Sequence, residues 1–160
     1  MGDQKKQRKK YEKPLIAWDE RRLEKDRGVM KHYGLKRKDE ILKMESFLRE
    51  LRRRARNAAA GATEKEKEEL LSKCRNIGLI GEEDDTSQIL RIELRDILDR
   101  RLQTFVSKKA GVGSPAHARQ LVVHGHVKVG ERTMKSPSFL VPKKLEDKIN
   151  IDEKLTVDEQ

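Results

Sequence analysis

The sequence predicts an α+β fold that is mostly α, with a basic helical region first and a small sheet near the end. Between residues 19 and 124, apolar residues recur at spacings of three and four, and several of these segments stop at glycine. From residue 127 onward, apolar and polar residues alternate over short runs separated by Gly and Pro. With 34% hydrophobic and 41% charged residues, the 160-residue chain can bury only a modest core.

The net charge of +10 is unevenly distributed along the chain. Residues 1–60 carry 20 Lys/Arg and 10 Asp/Glu, residues 61–99 carry 6 and 11, residues 100–144 carry 10 and 1, and residues 145–160 carry 2 and 6. Two basic blocks separated by an acidic one predict two contact surfaces for a polyanion, and nucleic acid is the first candidate. Aromatic residues make up only 4% of the chain, which favours structured RNA or duplex over stacking on single strands.

Several functional classes are excluded by what the sequence lacks. Cys74 is the only cysteine, so an intrachain disulfide and a thiolate metal cluster are ruled out, and we expect a reducing compartment. No apolar run reaches transmembrane length or resembles a signal peptide, so we expect an intracellular protein without a membrane partner. Without a phosphate-cradling glycine loop, nucleophile motif or metal pair, we expect no enzyme activity, cofactor or small-molecule substrate.

Residues 1–18 form a predicted basic arm. Its cations are expected to order along RNA phosphates, the alternative being a solvated tail. They are Lys5, Lys6, Arg8, Lys9 and Lys10. Trp18, the sole tryptophan, is predicted to anchor the arm to a core rather than to stack on a base.

Residues 19–93 form a predicted helical RNA-binding region. Asp19 is expected to cap a first helix that Gly34 stops, and a second helix runs from about residue 39 to 61. Along it, four arginines at i, i+3, i+4 and i+7 form a stripe bordered only by Glu45. They are Arg49, Arg52, Arg53 and Arg56. Like charges at this spacing repel one another, so the stripe predicts phosphate contact, the alternative being a solvated face.

A third helix is predicted after a capping box formed by Thr63 and Glu66, with Cys74 facing inward and Gly78 as its stop. The acidic run 82–85 that follows predicts an exposed loop, and it could also face the basic surface of another protein.

Residues 94–151 form a predicted compact RNA-binding domain that opens with one helix from Leu94. Its apolar face places Arg100, Gln103 and Thr104 outward, whereas Arg101 falls within the apolar arc and must snorkel or pair. Lys108 and Lys109 add positive charge in the last turn.

Ser114 and Pro115 predict the start of a second helix, with free N–H groups suited to phosphate. Its predicted inward residues are Ala118, Leu121 and Val122, its outward residues are Arg119 and Gln120, and its edge residues are His117 and His124. Gly125 ends the helix and reorients the chain between His124 and His126, so imidazole contact with phosphate or ribose, or a capping role, is favoured over metal binding.

Short strands are predicted to complete the domain. Val127–Val129 is followed by a two-residue turn at Gly130 and Glu131 and a return strand over 132–134. Two further alternating segments, 139–141 and 149–151, come next. Residues 152–160 form a predicted acidic, unstructured tail.

Residues 100–104, Ser114 and the block 118–127 resemble the RNA-binding domain of the small-subunit ribosomal protein S4 family. The opening residues 5–11 and the arginine-rich helix resemble its archaeal and eukaryotic branch. The resemblance implies two antiparallel helices on a small antiparallel sheet. It also implies binding of ribosomal RNA at a multi-helix junction in the five-prime domain, nucleation of subunit assembly and an effect on decoding accuracy.

The same resemblance implies a cytoplasmic, ribosomal location and neighbouring ribosomal proteins that include S5. Arg100, Ser114, Arg119, Gln120 and Lys128 carry over as RNA contacts. The full set of predicted RNA-binding residues is Lys5, Lys6, Arg8, Lys9, Lys10, Arg49, Arg52, Arg53, Arg56, Arg100, Gln103, Thr104, Lys108, Lys109, Ser114, His117, Arg119, Gln120, His124, His126 and Lys128.

Three alternatives share parts of this pattern. A nucleolar assembly factor that binds precursor RNA transiently resembles the family in both halves. A small RNA chaperone is disfavoured by the extended N-terminal helices. Pseudouridine synthases and some tyrosyl-tRNA synthetases carry the same small domain, but this chain offers no residues for their catalytic domain.

Overall fold

The computed structural model describes residues 9–16, 18–61, 63–109 and 114–151. Its helices are α1 Glu20–Tyr33, α2 Lys38–Ala59, α3 Glu64–Ile77, α4 Thr86–Arg91, α5 Leu94–Asp99, α6 Leu102–Lys109 and α7 Pro115–His124. Its strands are β1 Val127–Val129, β2 Arg132–Thr133 and β3 Ile149–Ile151, with a 3-10 turn over Lys143–Leu145. The predicted fold class is confirmed, and no helix among these residues is long and apolar enough to cross a membrane.

The first helix has the predicted ends. The Asp19 side chain accepts a hydrogen bond from the Arg21 backbone N–H, and Gly34 ends the helix in the left-handed region at φ 58°. The role predicted for Trp18 is wrong, since its side chain is 86% exposed. The last turns of α1 pack against the core through Met30 and Tyr33, whereas Trp18 lies before the first turn.

Helix α2 buries the face that its apolar spacing predicts, including Ile41, Leu48 and Leu51. Helix α3 ends at Gly78 as predicted, and Cys74 is fully buried, which raises the pKa of its thiol. The predicted capping box is absent. At Thr63 the backbone carbonyl, rather than the hydroxyl, accepts the N–H of Glu66 at 3.0 Å.

The predicted helix from Leu94 is interrupted. It forms α5 and α6, with Arg100 and Arg101 between them outside either helix. Residues 139–141 pair with this break, because Leu102 donates its N–H to the Phe139 carbonyl at 2.7 Å and Val141 donates to the Arg100 carbonyl at 2.9 Å. Apolar spacing alone cannot reveal a break that a distant extended segment stabilises. That segment therefore lies against the helices and not in the sheet.

The sheet has three antiparallel strands in the order β2-β1-β3. Val129 faces Arg132 across the predicted turn, whose first residue, Gly130, has φ 64°. Helices α6 and α7 pack on this sheet around one core, which holds Leu102, Val106, Ala118, Leu121, Val122, Val127, Val129, Val141 and Ile149.

Two further clusters form the core of the N-terminal region. One joins α2 to α3, α4 and α5 and includes Leu51, Cys74, Ile89 and Ile97. The other joins the end of α1 to α2 and α5 through Tyr33, Leu35, Ile41 and Leu98. Ile97 and Leu98 of α5 are part of these clusters and Leu140 packs against the first, so the predicted C-terminal domain shares apolar contacts with the N-terminal helices.

Candidate nucleic-acid interface

A basic groove lies between residues 9–12 and α2. We define it by its cations Lys9, Lys10, Arg49, Arg53 and Arg56. Two bonds hold the arm segment on the helix: the Glu12 N–H donates to the Ser46 hydroxyl at 3.3 Å, and Arg49 donates to the Glu12 carboxylate at 2.7 Å. The fold thereby brings part of the predicted arm and part of the predicted stripe onto one surface.

The arginine stripe is less isolated than the sequence suggested. Glu50 accepts hydrogen bonds from Arg53 at 2.9 Å and from Arg54 at 2.8 Å, and these bonds hold its pKa at about 2. The predicted border residue, Glu45, instead pairs with Arg22 of α1 at 2.6 Å. The view that only Glu45 borders the stripe was therefore wrong, because on a helix Glu50 reaches both i+3 and i+4.

Two stripe arginines have different environments. The Arg52 Nη2 donates to the backbone carbonyl of Ile92 at 2.6 Å, which ties α2 to the segment between α4 and α5. Arg56 is exposed, and among the described residues its guanidinium has no ion pair or side-chain hydrogen bond. Of the four stripe arginines, Arg56 has the guanidinium that is most available to an external anion.

Of the two outcomes predicted for Arg101, snorkelling to solvent or pairing, the structure shows pairing. Its side chain is 1% exposed and forms an ion pair with the Glu40 carboxylate of α2. Arg119 of α7 also donates to Glu40, at 3.1 Å, and to the Gln103 side-chain oxygen at 3.3 Å. We call these four residues the Glu40 cluster. Burial raises the pKa of Glu40, but hydrogen bonds from Arg119 and Arg101 outweigh it and bring the pKa to about 2.

The outward orientation predicted for Gln103 is wrong, since this residue is 1% exposed. Its Nε2 lies within hydrogen-bond distance of the carbonyls of Tyr33 (2.9 Å), Gly34 (3.1 Å) and Pro115 (2.9 Å). Because the interruption before Leu102 breaks the helical period, the face assigned from Leu94 does not extend into α6. Gln103 consequently links the end of α1 to the start of α7.

Arg119, Arg100 and Thr104 are also less outward than predicted. Arg119 is half-buried in the Glu40 cluster. Arg100 donates to the Val141 carbonyl at 3.0 Å, pairs with Glu146 and lies over the Phe105 ring. The Thr104 hydroxyl donates to the Leu98 carbonyl at 2.8 Å. A helical projection of a single segment cannot show these contacts, because their partners lie on other segments of the chain.

Several predicted RNA-binding residues of the second half are exposed on α6, on α7 and on β1. Lys108 pairs with Asp99 at 3.2 Å, and Lys109 donates to the Ile149 carbonyl at 2.9 Å. Gln120, His124 and Lys128 are exposed and open to a ligand. Ser114 caps α7 as predicted, accepting the His117 N–H at 3.2 Å.

The pair His124 and His126 does not form part of a metal-binding group. Their ring centroids are 6.4 Å apart, and within the described ranges there is no group of three or more His, Cys, Asp or Glu residues that could hold a metal ion. His124 was predicted to lie at the edge of the buried face of its helix, but its side chain is exposed at the C-terminal end of α7.

Comparison with known proteins identifies the family. Residues 100–147 match the S4 domain model. Small ribosomal subunit protein uS4 of Picrophilus torridus is 38% identical over 159 residues, covering 96% of this chain and 87% of that protein. The uS4 protein of Korarchaeum cryptofilum is 40% identical over 151 residues (93% and 91%), and that of Ignicoccus hospitalis is 40% identical over 152 residues (93% and 92%).

The chain belongs to the uS4 family. The resemblance seen in the sequence is thereby confirmed, and the relatives are consistent with an archaeal-type uS4. The uS4 relatives are proteins of the small ribosomal subunit and not enzymes, so the prediction of no enzymatic activity is confirmed.

Sequence reasoning missed several basic residues of this uS4 chain. Arg54 pairs with Glu50, and Lys36, Arg37 and Lys43 are exposed around a cavity beside the Glu40 cluster. The three consecutive basic residues from Lys36 to Lys38 were a sequence signal that could have predicted this basic surface. Lys5, Lys6 and Arg8 lie outside the described residues, so their predicted contacts stay predictions.

Proposed function

We propose that this uS4 chain is a structural component of the small ribosomal subunit that binds small-subunit ribosomal RNA at a multi-helix junction. In this proposal it nucleates assembly of the five-prime domain and contributes to decoding accuracy. Its other partners are neighbouring small-subunit proteins, S5 among them, and its location is the cytoplasm, in ribosomes. Family membership supports the ribosomal and RNA-binding parts of the proposal.

One observation carries the junction-binding part: the Glu40 cluster bonds the half that bears the basic groove to the S4-type half. Glu40 belongs to α2, which lines the groove, whereas Arg101 and Arg119 belong to the second half. Two basic surfaces at a fixed separation suit an RNA in which several helices meet at fixed angles. A preorganised pair loses less conformational freedom on binding than two loosely tethered surfaces.

The binding chemistry we propose is phosphate neutralisation by arginine and lysine. Arg56 of the basic groove and Lys128 of β1 are exposed and available for it. Paired cations such as Arg49 and Arg53 would exchange a carboxylate for a phosphate. We retain the division into an arm (1–18), a helical region (19–93), an S4-type domain (94–151) and an acidic tail (152–160) as part of this proposal.

Chemical footprinting of whole small-subunit ribosomal RNA, with and without the protein, tests the proposal. Protection confined to one multi-helix junction is the expected result. Uniform weak protection would indicate nonspecific polyanion binding and would contradict it. The logarithm of the association constant should fall linearly with the logarithm of the salt concentration, with a slope of roughly 0.7 to 0.9 per neutralised phosphate.

A matched pair of arginine variants sharpens this test. Arg56→Gln should weaken binding and lower the salt slope by about one contact, since it removes an available guanidinium from the basic groove. Arg91→Gln is the control, because Arg91 is also exposed but lies on α4 in the acidic block. Equal losses in both variants would show that net charge, rather than this groove, governs binding.

Co-purification separates this function from that of a transient assembly factor. A structural component remains with mature small subunits after a high-salt wash. A factor that acts only on precursor RNA is absent from them.

A further inference from the structure

Three large apolar side chains are exposed within four consecutive positions before α1. Leu15 is 105%, Ile16 70% and Trp18 86% exposed, whereas Leu90 and Val123, the other exposed large hydrophobic residues among those described, reach 39% and 48%. Scattered single apolar residues are ordinary on a protein surface, but a concentrated group marks a contact site.

This segment is held at both ends. On its N-terminal side, Glu12 is bonded to Ser46 and Arg49 of α2. On its C-terminal side, Asp19 accepts the Arg21 N–H and fixes the start of α1. The indole of Trp18 is therefore presented to solvent one residue before the cap that fixes the start of α1.

The apolar segment adjoins the basic groove. Leu15 and Ile16 line a cleft against α2 whose walls include Glu12 and Arg49. Glu12 and Arg49 also line the basic groove, so the cleft and the groove are adjacent. A chain of phosphates lying in the groove would bring its attached bases toward the apolar segment.

The surrounding charge also favours a polyanion. Residues 9–27 carry seven Lys/Arg and five Asp/Glu. The net charge of +2 attracts phosphates, and the pairs Glu12–Arg49 and Asp26–Arg22 each engage one cation with one carboxylate.

We propose that Trp18 stacks on an unpaired base of the RNA whose phosphates occupy the basic groove, with Leu15 and Ile16 adding apolar contact. This inference rests on the proposed RNA-binding function and assigns one single-stranded contact to a surface otherwise suited to phosphates. An indole face accepts any base, since every base has a π face, so the contact requires no particular sequence.

The fluorescence of Trp18 tests the proposal directly, because it is the only tryptophan in the chain. Small-subunit ribosomal RNA is titrated into the full chain with excitation at the red edge, where tyrosine absorbs little. Binding is followed in parallel by electrophoretic mobility. Stacking predicts strong quenching that saturates together with the mobility shift.

Matched variants assign the effect to the aromatic ring. Trp18→Ala should weaken RNA binding about 5- to 150-fold, the range expected for one stacked base. Trp18→Phe should retain most of the affinity, because it keeps a π face. Leu15→Ala with Ile16→Ala should lose less than Trp18→Ala. Far-UV circular dichroism checks that each variant is folded.

The outcomes distinguish this proposal from the function on which it rests. RNA binding with unchanged Trp18 emission, or with Trp18→Ala at wild-type affinity, overturns the stacking proposal and leaves RNA binding intact. Absence of RNA binding by any readout overturns both. An emission shift that needs added small-subunit proteins, and does not occur with bare RNA, makes this segment a protein-docking surface and also overturns the proposal.

Discussion

Replacing Glu40 by Gln should destabilise the protein strongly, because it removes the carboxylate from a buried ionic cluster. The Glu40 side chain is 15% exposed, and Arg101 beside it is 1% exposed. A fall in the pKa of Glu40 from 4.5 to about 2 corresponds to about 3 kcal/mol of stabilisation at neutral pH, since a tenfold change in proton affinity is about 1.4 kcal/mol. Removing one partner of a buried pair typically costs about 3 to 5 kcal/mol. We therefore expect a loss of about 3 kcal/mol.

Urea unfolding followed by far-UV circular dichroism measures this loss, and Glu50→Gln is the matched control. The pKa of Glu50 is also about 2, but its side chain is 41% exposed and its partners Arg53 and Arg54 are more than half exposed. Solvent screening reduces the contribution of such surface pairs to about 0 to 1 kcal/mol. The two variants share one substitution and one pKa, so burial alone separates their expected effects.

A second substitution tests the mechanism. Combining Glu40→Gln with Arg101→Met removes the unpaired buried cation and should recover part of the lost stability, whereas the two changes would add if the sites were independent. The reasoning is refuted if Glu40→Gln costs no more than Glu50→Gln. It is also refuted if the double variant is as unstable as the sum of the two single variants.

Three further predictions follow from the described contacts. Gly34→Ala should destabilise the protein by more than about 1 kcal/mol, since φ is 58° and a Cβ would lie 2.9 Å from backbone atoms. Gly28→Ala should stabilise it by up to about 1 kcal/mol, because Gly28 lies in a helix interior with open space around the added Cβ. Thermal melting measures both effects. Ser114→Ala should cost about 0.5 to 2 kcal/mol by removing a helix cap, and Thr63→Ala, where the side chain makes no capping bond, should cost less in the same urea assay. Because the folded-state pKa of Glu40 is lowered, its contribution to the free energy of unfolding should be complete above its usual pKa of 4.5 and should be lost as the pH falls through about 2. Unfolding of Glu40→Gln should lack this part of the pH dependence.

The elements whose signals lie within a few residues could be predicted from the sequence. The Asp19 cap, the Gly34 stop and the Ser114 start each depend on neighbouring backbone atoms, and all three occur as expected. The apolar face of α2 was equally readable, since local spacing determines which side chains share a face.

The polar contacts between distant segments could not be predicted. Gln103 bonds to carbonyls about 70 residues earlier in the chain, and Arg52 bonds to Ile92. The sequence shows which residues are cationic, and the spacing of apolar residues shows which side chains share a helix face. Neither shows which cations bond to a carbonyl or carboxylate once the helices pack together. Arg101 was a partial exception, because a cation within an apolar arc must either snorkel to solvent or pair, although its partner Glu40 could not be predicted.

The placement of the Glu40 cluster along the chain has a consequence for folding during synthesis. The buried apolar residues of the two clusters around α2 end at Ile97 and Leu98, but the two cations that bond to Glu40 follow at positions 101 and 119. Domains generally fold from the N-terminus as they leave the ribosome. A nascent chain that stops between Arg101 and Arg119 can pair Glu40 with only one of its two arginines, so the N-terminal half can collapse early but gains its second bond to Glu40 only when α7 arrives.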